Sequence, residues 1–176
     1  KGWYAIEGLW TLEDPAGIQV HSTEQRVEVQ HDGVPFVGII DRVEEHPDGL
    51  VVTDYKSGRP PRARFRADKL HQVLLYAAAL RELDRAPTRA RLLYLGSAVV
   101  ETDATDDAVA EAMARLRGTW DQLVDACEHD TFVPKTGPLC GWCPHLLDCP
   151  EGRSEVEQRV AAGRIREDAP AVALVA

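Results

Sequence analysis

Residues 36–58 read FVGIIDRVEEHPDGLVVTDYKSG, and this stretch decides the fold of the 176-residue chain. It holds two apolar runs rich in β-branched residues, 36–43 and 50–55, on either side of a turn sequence at 46–49 that contains Pro and Gly. Strand-like runs that flank such a turn are typical of a β-hairpin. We therefore expect the two runs to pair as neighbouring strands.

Two aspartates lie on this predicted hairpin, Asp41 on the first strand and Asp54 on the second. Paired carboxylates suit a hard divalent cation such as Mg²⁺, which takes oxygen ligands and keeps several waters. Lys56 follows Asp54 by two positions, so both side chains project from one face of a strand. A lysine beside a metal can orient an attacking water or stabilise a negatively charged phosphoryl group. The spacing alone also fits a simpler interpretation, in which Asp41 and Arg42 form a surface ion pair and Asp54 and Lys56 lie at a solvated strand edge.

The flanking sequence extends this hairpin into a mixed α/β core. Alternating residues from Glu24 onward predict a third strand, so that residues 24–56 form a meander. Helical spacing follows over 67–83, and two short strands are predicted at 91–95 and 98–102. A last long helix carries an apolar stripe with a 3.6-residue period. Its members are Val109, Met113, Leu116, Trp120, Leu123, Val124 and Cys127.

Three polar side chains share one edge of the helix predicted at 67–83. Lys69, Gln72 and Tyr76 stand at positions i, i+3 and i+7. An amide and a phenol one turn apart, next to a carboxylate–lysine pair, offer donors to a phosphate backbone or a scissile group. An amphipathic helix flank with a half-buried tyrosine fits the same spacing.

Taken together, GIIDR at 38–42, DYKSG at 54–58 and QVLLY at 72–76 resemble the RecB-family branch of the PD-(D/E)XK nucleases. The resemblance covers residues 24–150. It implies an α/β fold with a restriction-endonuclease-like core, a mixed central sheet flanked by helices, and a Cys-rich C-terminal appendage.

The resemblance also implies a role for each matching residue. The catalytic side chains would be Asp41, Asp54, Lys56, Gln72 and Tyr76. Mg²⁺ or Mn²⁺ would be held by the two aspartates and the backbone carbonyl of Tyr55, with Glu24 as a further acidic position. The metal would polarise the scissile phosphate and lower the pKa of a water that Lys56 aligns for in-line attack.

Cys140, Cys143 and Cys149 form a C-x2-C-x5-C pattern in which Pro follows two of the three cysteines. Tight turns of this kind bring thiolates together on zinc or an iron–sulfur cluster. The resemblance implies a four-iron four-sulfur cluster with a fourth cysteine far upstream, and zinc is the alternative. Cys127 is available as a fourth ligand, but it falls on the apolar stripe of its helix, where we expect it to act as a small buried hydrophobe.

The chain begins at Lys1 within a segment, 1–12, that has helical spacing. We therefore expect residues 1–23 to be the end of a longer helical segment. The family's upstream His ligand and fourth Cys would then precede Lys1, because His21 and His31 are expected in a loop and near a turn. An incomplete metal site, and with it an inactive chain, is one expectation. The remaining divisions are a nuclease core at 24–129, a Cys-rich segment at 130–150 and a partly disordered tail at 151–176.

The charge distribution bears on the substrate. A net charge of −9 argues against nucleic-acid binding, which calls for basic surface. However, the stretch 56–69 is locally basic and borders the predicted metal site, so we expect it to contact DNA unless it is merely a solvated loop. The residues concerned are Arg59, Arg62, Arg64, Arg66 and Lys69.

The resemblance implies a metal-dependent DNA exonuclease that hydrolyses phosphodiester bonds in repair or recombination, in the bacterial cytoplasm. Its partners would be DNA and a helicase or another repair protein. No membrane is involved, because no apolar run approaches the roughly 20 residues of a membrane span. Two other classes stay open: a non-catalytic DNA-binding or scaffold module with the nuclease fold, and a purely structural zinc module.

Overall fold

The computed structural model describes residues 2–175, which form two compact units with a boundary between Gln122 and Leu123. The first unit contains a five-stranded sheet with two principal helices. The strands are β1 (Gln19–His31), β2 (Val34–His46), β3 (Gly49–Lys56), β4 (Pro87–Tyr94) and β5 (Ala98–Asp103). The helices of the chain are α1 (Gly2–Leu9), α2 (Arg66–Arg81), α3 (Asp106–His129), α4 (Pro150–Ala161) and α5 (Val172–Val175).

The strands lie in the order β1-β2-β3-β4-β5, and only β3 and β4 run parallel. A parallel pair needs a crossover connection, and α2 provides it. The antiparallel meander β1-β2-β3 confirms the prediction for residues 24–56. Its two turns have glycines with positive φ, Gly33 at 82° and Gly49 at 121°, a conformation that L side chains rarely adopt.

The first strand is longer than its sequence pattern indicated. It begins at Gln19, which pairs with Glu45 of β2. His21, expected in a loop, therefore lies within β1, where its Nδ1 is 3.1 Å from Glu45 Oε1. The alternation of apolar residues could not reveal this extension because residues 19–23 are mostly exposed polar residues, and only backbone pairing places them in the sheet.

The main core lies between one face of the sheet and α2. Apolar side chains at helical spacing on α2 meet those of β1 to β4, as the sequence pattern predicts. The most deeply buried members of this cluster are Val27, Ile40, Val43, Val52, Val73, Leu80, Ala90 and Leu92. A second cluster joins the C-terminal half of α2 to the start of α3, where Val109 is buried. The core thus anchors the strands and the helix that carry the predicted site residues.

The stripe on α3 is buried only near its beginning. Leu123 and Val124 are exposed, and so is Cys127. The expectation that Cys127 is a buried core residue is therefore wrong. Helical periodicity shows that a face is apolar, but it does not show that another element covers that face.

The segment that follows Cys149 contains a helix. Helix α4 begins directly after Cys149, whose side chain accepts a hydrogen bond from Gly152 N at 3.3 Å. Val156 of α4 is fully buried with Leu146 and Ala171, so the second unit has a small apolar core of its own. This burial explains why the charged sequence of the tail nevertheless forms a helix.

None of the helices in the described part of the chain is long and apolar enough to cross a membrane.

Candidate active site

Asp41 and Asp54 lie where β2 and β3 cease to pair. The antiparallel pairing runs from His46↔Gly49 to Arg42↔Thr53, and the two aspartates follow immediately. At this point the backbone N–H of Tyr55 donates a hydrogen bond of 2.8 Å to Asp41 Oδ2. A carboxylate thus takes the place of a strand carbonyl, which fixes Asp41 beside the backbone of the segment Asp54–Lys56.

Asp54 is a buried carboxylate whose side chain is only 6% exposed. Its Oδ2 accepts no well-aligned hydrogen bond from the described residues, but it forms an ion pair with Lys56 Nζ at 2.7 Å. Burial raises the pKa of Asp54 above its usual value, Lys56 opposes that rise, and the charge of Asp41 adds to it. The site therefore favours a positive charge next to Asp54.

Lys56 connects the sheet to α2. Its Nζ donates to Gln72 Oε1 at 3.1 Å, and Gln72 Nε2 donates to Tyr76 Oη at 2.9 Å. Gln72 and Tyr76 are one helical turn apart, so both reach the same edge of the sheet. The structure therefore joins Asp54, Lys56, Gln72 and Tyr76 into one continuous polar chain.

The close approach of α2 to β2 depends on a glycine. A Cβ atom built on Gly38 would lie 2.6 Å from Cε1 of Tyr76, and the edge of Phe36 packs on the same ring. Tyr76 is buried, and its ring is held by this packing while its hydroxyl reaches Gln72. Gly38 thus permits the position of Tyr76, a role that its sequence motif alone does not reveal.

Substituting Gly38→Ala is expected to destabilise the protein by about 1–3 kcal/mol, the usual cost of an overpacked core. The added methyl group must displace the Tyr76 ring, which is buried. Urea unfolding followed by circular dichroism measures the loss. Gly118→Ala is the matched control, because a Cβ there meets nothing within 4 Å and helix propensity favours alanine by up to about 1 kcal/mol. Equal stability of the two variants would contradict this account.

Glu24 lies in β1 opposite Asp41, since its neighbours form the pairs Thr23↔Arg42 and Gln25↔Ile40. Its φ is +48°, a left-handed conformation that costs a residue with a side chain about 1–3 kcal/mol. The side chain is exposed. The structure thus places the third acidic candidate across the strand pair from Asp41, on a strained backbone.

Sequence reasoning missed a buried ionic network that begins at Arg42. Arg42 does not pair with Asp41: it is buried and donates to both oxygens of Glu13, at 2.7 and 2.8 Å. Arg42 and Arg91 also donate to Glu44, which is fully buried and accepts a hydrogen bond from Thr53 Oγ1. The two-residue spacing of Arg42 and Glu44 on a strand was the available signal that they share a face.

The network controls the ionisation of Glu44. Burial alone would raise the pKa of this carboxyl, but the Thr53 hydrogen bond and the charges of Arg91 and Arg42 outweigh it and hold the pKa below its usual value. Glu44 is therefore a carboxylate at neutral pH. The two residues that bring the network to the site are Arg42, next to Asp41, and Thr53, next to Asp54.

The basic residues predicted to contact DNA are all exposed: Arg59, Arg62, Arg64, Arg66 and Lys69. They occupy the loop after β3 and the first turn of α2, so they follow the segment Asp54–Lys56 directly along the chain. Asp68, the one acid in this stretch, is paired with Arg115 at 3.0 Å.

The donor set at the two aspartates fits a hard divalent cation. Two carboxylates and the adjacent backbone carbonyl of Tyr55 supply oxygen atoms only, and a cation between them would offset the repulsion between Asp41 and Asp54 that contributes to the raised pKa of Asp54. Among residues 2–175, no three His, Cys, Asp or Glu side chains are grouped closely enough to hold a metal by themselves. Water or phosphate oxygens would therefore complete the coordination, as is usual for Mg²⁺.

The cysteines are not gathered into one group in this structure. All carry free thiols: Cys143 is exposed, whereas Cys140 and Cys149 are partly buried. Cys140 Sγ accepts a hydrogen bond from Gly137 N at 3.3 Å, and Cys149 accepts one from Gly152 N. Within the described residues these cysteines do not form a group of three that could hold a metal. Backbone hydrogen bonds such as Cys143 N to Cys140 O also hold their turns.

Comparison with known proteins extends these observations. No curated protein matches the chain. A family model does match, over residues 5–150, and its description is the PD-(D/E)XK nuclease superfamily. This range includes the meander, α2 and the polar chain from Asp54 to Tyr76, and it confirms the expected restriction-endonuclease-like fold. The chain belongs to the PD-(D/E)XK nuclease superfamily.

Proposed function

We propose that this protein is a metal-dependent DNA exonuclease of the RecB type. The observation that carries the proposal is the contiguous polar chain Asp54–Lys56–Gln72–Tyr76, beside an Asp41 carboxylate fixed by the Tyr55 N–H. A buried carboxylate paired with a lysine that a glutamine orients is suited to phosphodiester hydrolysis, because hydrolysis needs both a cation site and a positioned ammonium group.

Mg²⁺ or Mn²⁺ at Asp41, Asp54 and the Tyr55 carbonyl, with Glu24 nearby, would supply a Lewis acid and a more acidic water. The chain's own contribution is positional. Gln72 holds the Lys56 ammonium at a fixed place, and Tyr76 holds Gln72. Lys56 would orient the attacking water or stabilise negative charge on the phosphoryl group, and the exposed arginines after β3 would retain the DNA backbone.

The proposal includes a cluster site at Cys140, Cys143 and Cys149 that takes a four-iron four-sulfur cluster or zinc. Its support is the C-x2-C-x5-C spacing together with backbone N–H donors at two of the sulfurs, an arrangement that stabilises thiolate charge. It also includes a role in processing DNA ends during repair or recombination in the bacterial cytoplasm, with a helicase or another repair protein as partner.

The direct test is digestion of linear single- and double-stranded DNA, labelled at either end, with Mg²⁺, with Mn²⁺ and with EDTA. We expect cleavage that requires the metal and that disappears in the double variant Asp41→Asn/Asp54→Asn. This variant also reveals any contaminating nuclease. DNA binding by the wild-type chain without any cleavage would favour the non-catalytic module, whereas equal cleavage by wild type and double variant would refute the proposed site.

A further inference from the structure

An exposed aromatic ring stands at the start of α2, in the middle of the basic stretch. Phe65 is the residue immediately before the helix, and 44% of it is accessible to solvent. The Arg64 guanidinium lies 4.6 Å from the ring centroid, over the ring. Phe65 is not a member of the core clusters described above, so its ring is available for contact with another molecule.

Phe65 continues the polar edge of α2 that leads out of the candidate active site. Counting from Phe65, Lys69, Gln72 and Tyr76 are at i+4, i+7 and i+11, which all fall on one side of an α-helix. At 1.5 Å per residue, Phe65 lies about 10 Å along the helix from Gln72. The exposed side chains of Phe65, Lys69 and Gln72 therefore follow one line on the surface, which ends at the buried Tyr76.

The side chains around this ring are suited to binding a nucleic-acid strand rather than an apolar partner. The neighbouring side chains Arg62, Arg64, Arg66 and Lys69 are exposed and cationic, and Asp68 is neutralised by Arg115. A positively charged track with an interleaved aromatic is the usual arrangement for single strands, because phosphates follow the charge while a base stacks on the ring.

We propose that Phe65 stacks against a nucleobase of an unpaired DNA strand, a few nucleotides from the scissile phosphate. The substrate of the site is accordingly single-stranded DNA or an unwound end. This inference rests on the proposed function for the position of the scissile phosphate. A base inside a duplex is already stacked on both faces, so it reaches Phe65 only after it leaves the stack.

The test compares the affinity of the whole chain for a labelled single-stranded oligothymidine and for a duplex of equal length, by fluorescence anisotropy in EDTA. Base–aromatic stacking is worth about 1–3 kcal/mol, so Phe65→Ala should weaken single-strand binding about 5- to 150-fold. Duplex binding should be nearly unchanged. Phe65→Trp should retain single-strand affinity, whereas Phe65→Leu, which keeps apolar bulk without a ring, should lose it.

Phe132→Ala is the matched control, because Phe132 is also an exposed phenylalanine but lies outside the basic stretch. A second readout uses 2-aminopurine at successive positions of the oligonucleotide. Stacking on Phe65 should change the fluorescence at one position, and Phe65→Ala should abolish that change. The proposal is overturned if Phe65→Ala leaves single-strand affinity unchanged or weakens single-strand and duplex binding equally.

These outcomes are separate from those that test the nuclease itself. Binding in EDTA does not depend on cleavage, so loss of the Phe65 effect with intact cleavage removes only the stacking proposal. A Phe65-dependent single-strand complex that never cleaves with either metal would instead refute the nuclease proposal and support the stacking contact.

Discussion

Lys56→Ala is expected to reduce the rate of DNA cleavage about 10²- to 10³-fold, the usual cost of removing one positioned donor from a charge-stabilising site. Lys56 Nζ lies 2.7 Å from Asp54 Oδ2 and 3.1 Å from Gln72 Oε1, so its position is set from both sides. The measurement is the initial rate of release from end-labelled DNA at saturating Mg²⁺. Lys135→Ala, which removes an exposed lysine elsewhere, is the matched control and should cleave normally.

The lysine acts in two ways that this experiment can separate. Besides its direct role, Lys56 lowers the pKa of the buried Asp54, so its removal also makes that carboxyl harder to ionise. If this indirect effect were the whole role, higher Mg²⁺ concentration or higher pH would restore the rate. We expect a deficit that persists under both conditions. Full recovery, or wild-type cleavage by Lys56→Ala throughout, would remove Lys56 from the reaction.

Gln72→Ala tests how much of this effect depends on orientation. The substitution leaves the Lys56 charge in place but removes its hydrogen-bond partner and the link to Tyr76. We expect a smaller loss of rate than for Lys56→Ala, with a partial rescue in Gln72→Glu, which keeps an acceptor. A loss as large as that of Lys56→Ala would show that Gln72 contacts the DNA itself.

The main strands and the helix edge could be predicted because they depend on local periodicity. The apolar runs at 36–43 and 50–55 and the turn between them predict the hairpin, and the spacing of Gln72 and Tyr76 predicts their common edge. The buried ionic network could not be predicted, because Glu13 and Arg91 are far from Arg42 in sequence and only the assembled fold brings them together.

Two other features escaped prediction for related reasons. The left-handed backbone of Glu24 lies inside β1, and the residue type alone does not predict this conformation. The exposure of Cys127 depends on whether another element covers its helix face. The apolar stripe in the sequence shows only that this face is apolar, not that it is covered. Local pattern thus located the candidate residues, and tertiary packing determined their surroundings.

Glu44→Ala is expected to destabilise the protein by about 3–5 kcal/mol, because it leaves buried cations without their carboxylate. Arg91 reaches both oxygens of Glu44, at 2.6 and 2.8 Å, and Arg42 reaches one at 3.1 Å. Urea unfolding at pH 7 measures the change. Glu45→Ala is the matched control, since Glu45 is the next residue but is exposed and pairs only with His21, so its loss should cost about 1 kcal/mol or less.

The pH dependence of stability gives an independent measure of the same network. The pKa of Glu44 is lower in the folded state than its ordinary value of 4.5, so the unfolded chain binds the proton more tightly. The stabilisation is therefore complete above about pH 4.5 and is lost as the pH falls through the folded-state pKa. Glu44→Gln, which cannot ionise, should flatten this acid limb relative to wild type. An unchanged acid limb would show that Glu44 carries no charge in the folded protein.

The network should also influence the reaction, because Arg42 donates to the hydroxyl of Tyr55, whose backbone carbonyl is a candidate metal ligand. Arg42 follows Asp41 in β2, and Thr53 precedes Asp54 in β3. Because Glu44 accepts hydrogen bonds from Arg42 and Thr53, it connects the two strands that carry the carboxylates. Under conditions where Glu44→Gln remains folded, we therefore expect weaker Mg²⁺ activation of cleavage and a smaller change in the rate at saturating Mg²⁺. Displacement of either aspartate must alter the Mg²⁺ affinity of a site that is built from both. A variant that is less stable but has an unchanged Mg²⁺ dependence would therefore show that the network only stabilises the sheet.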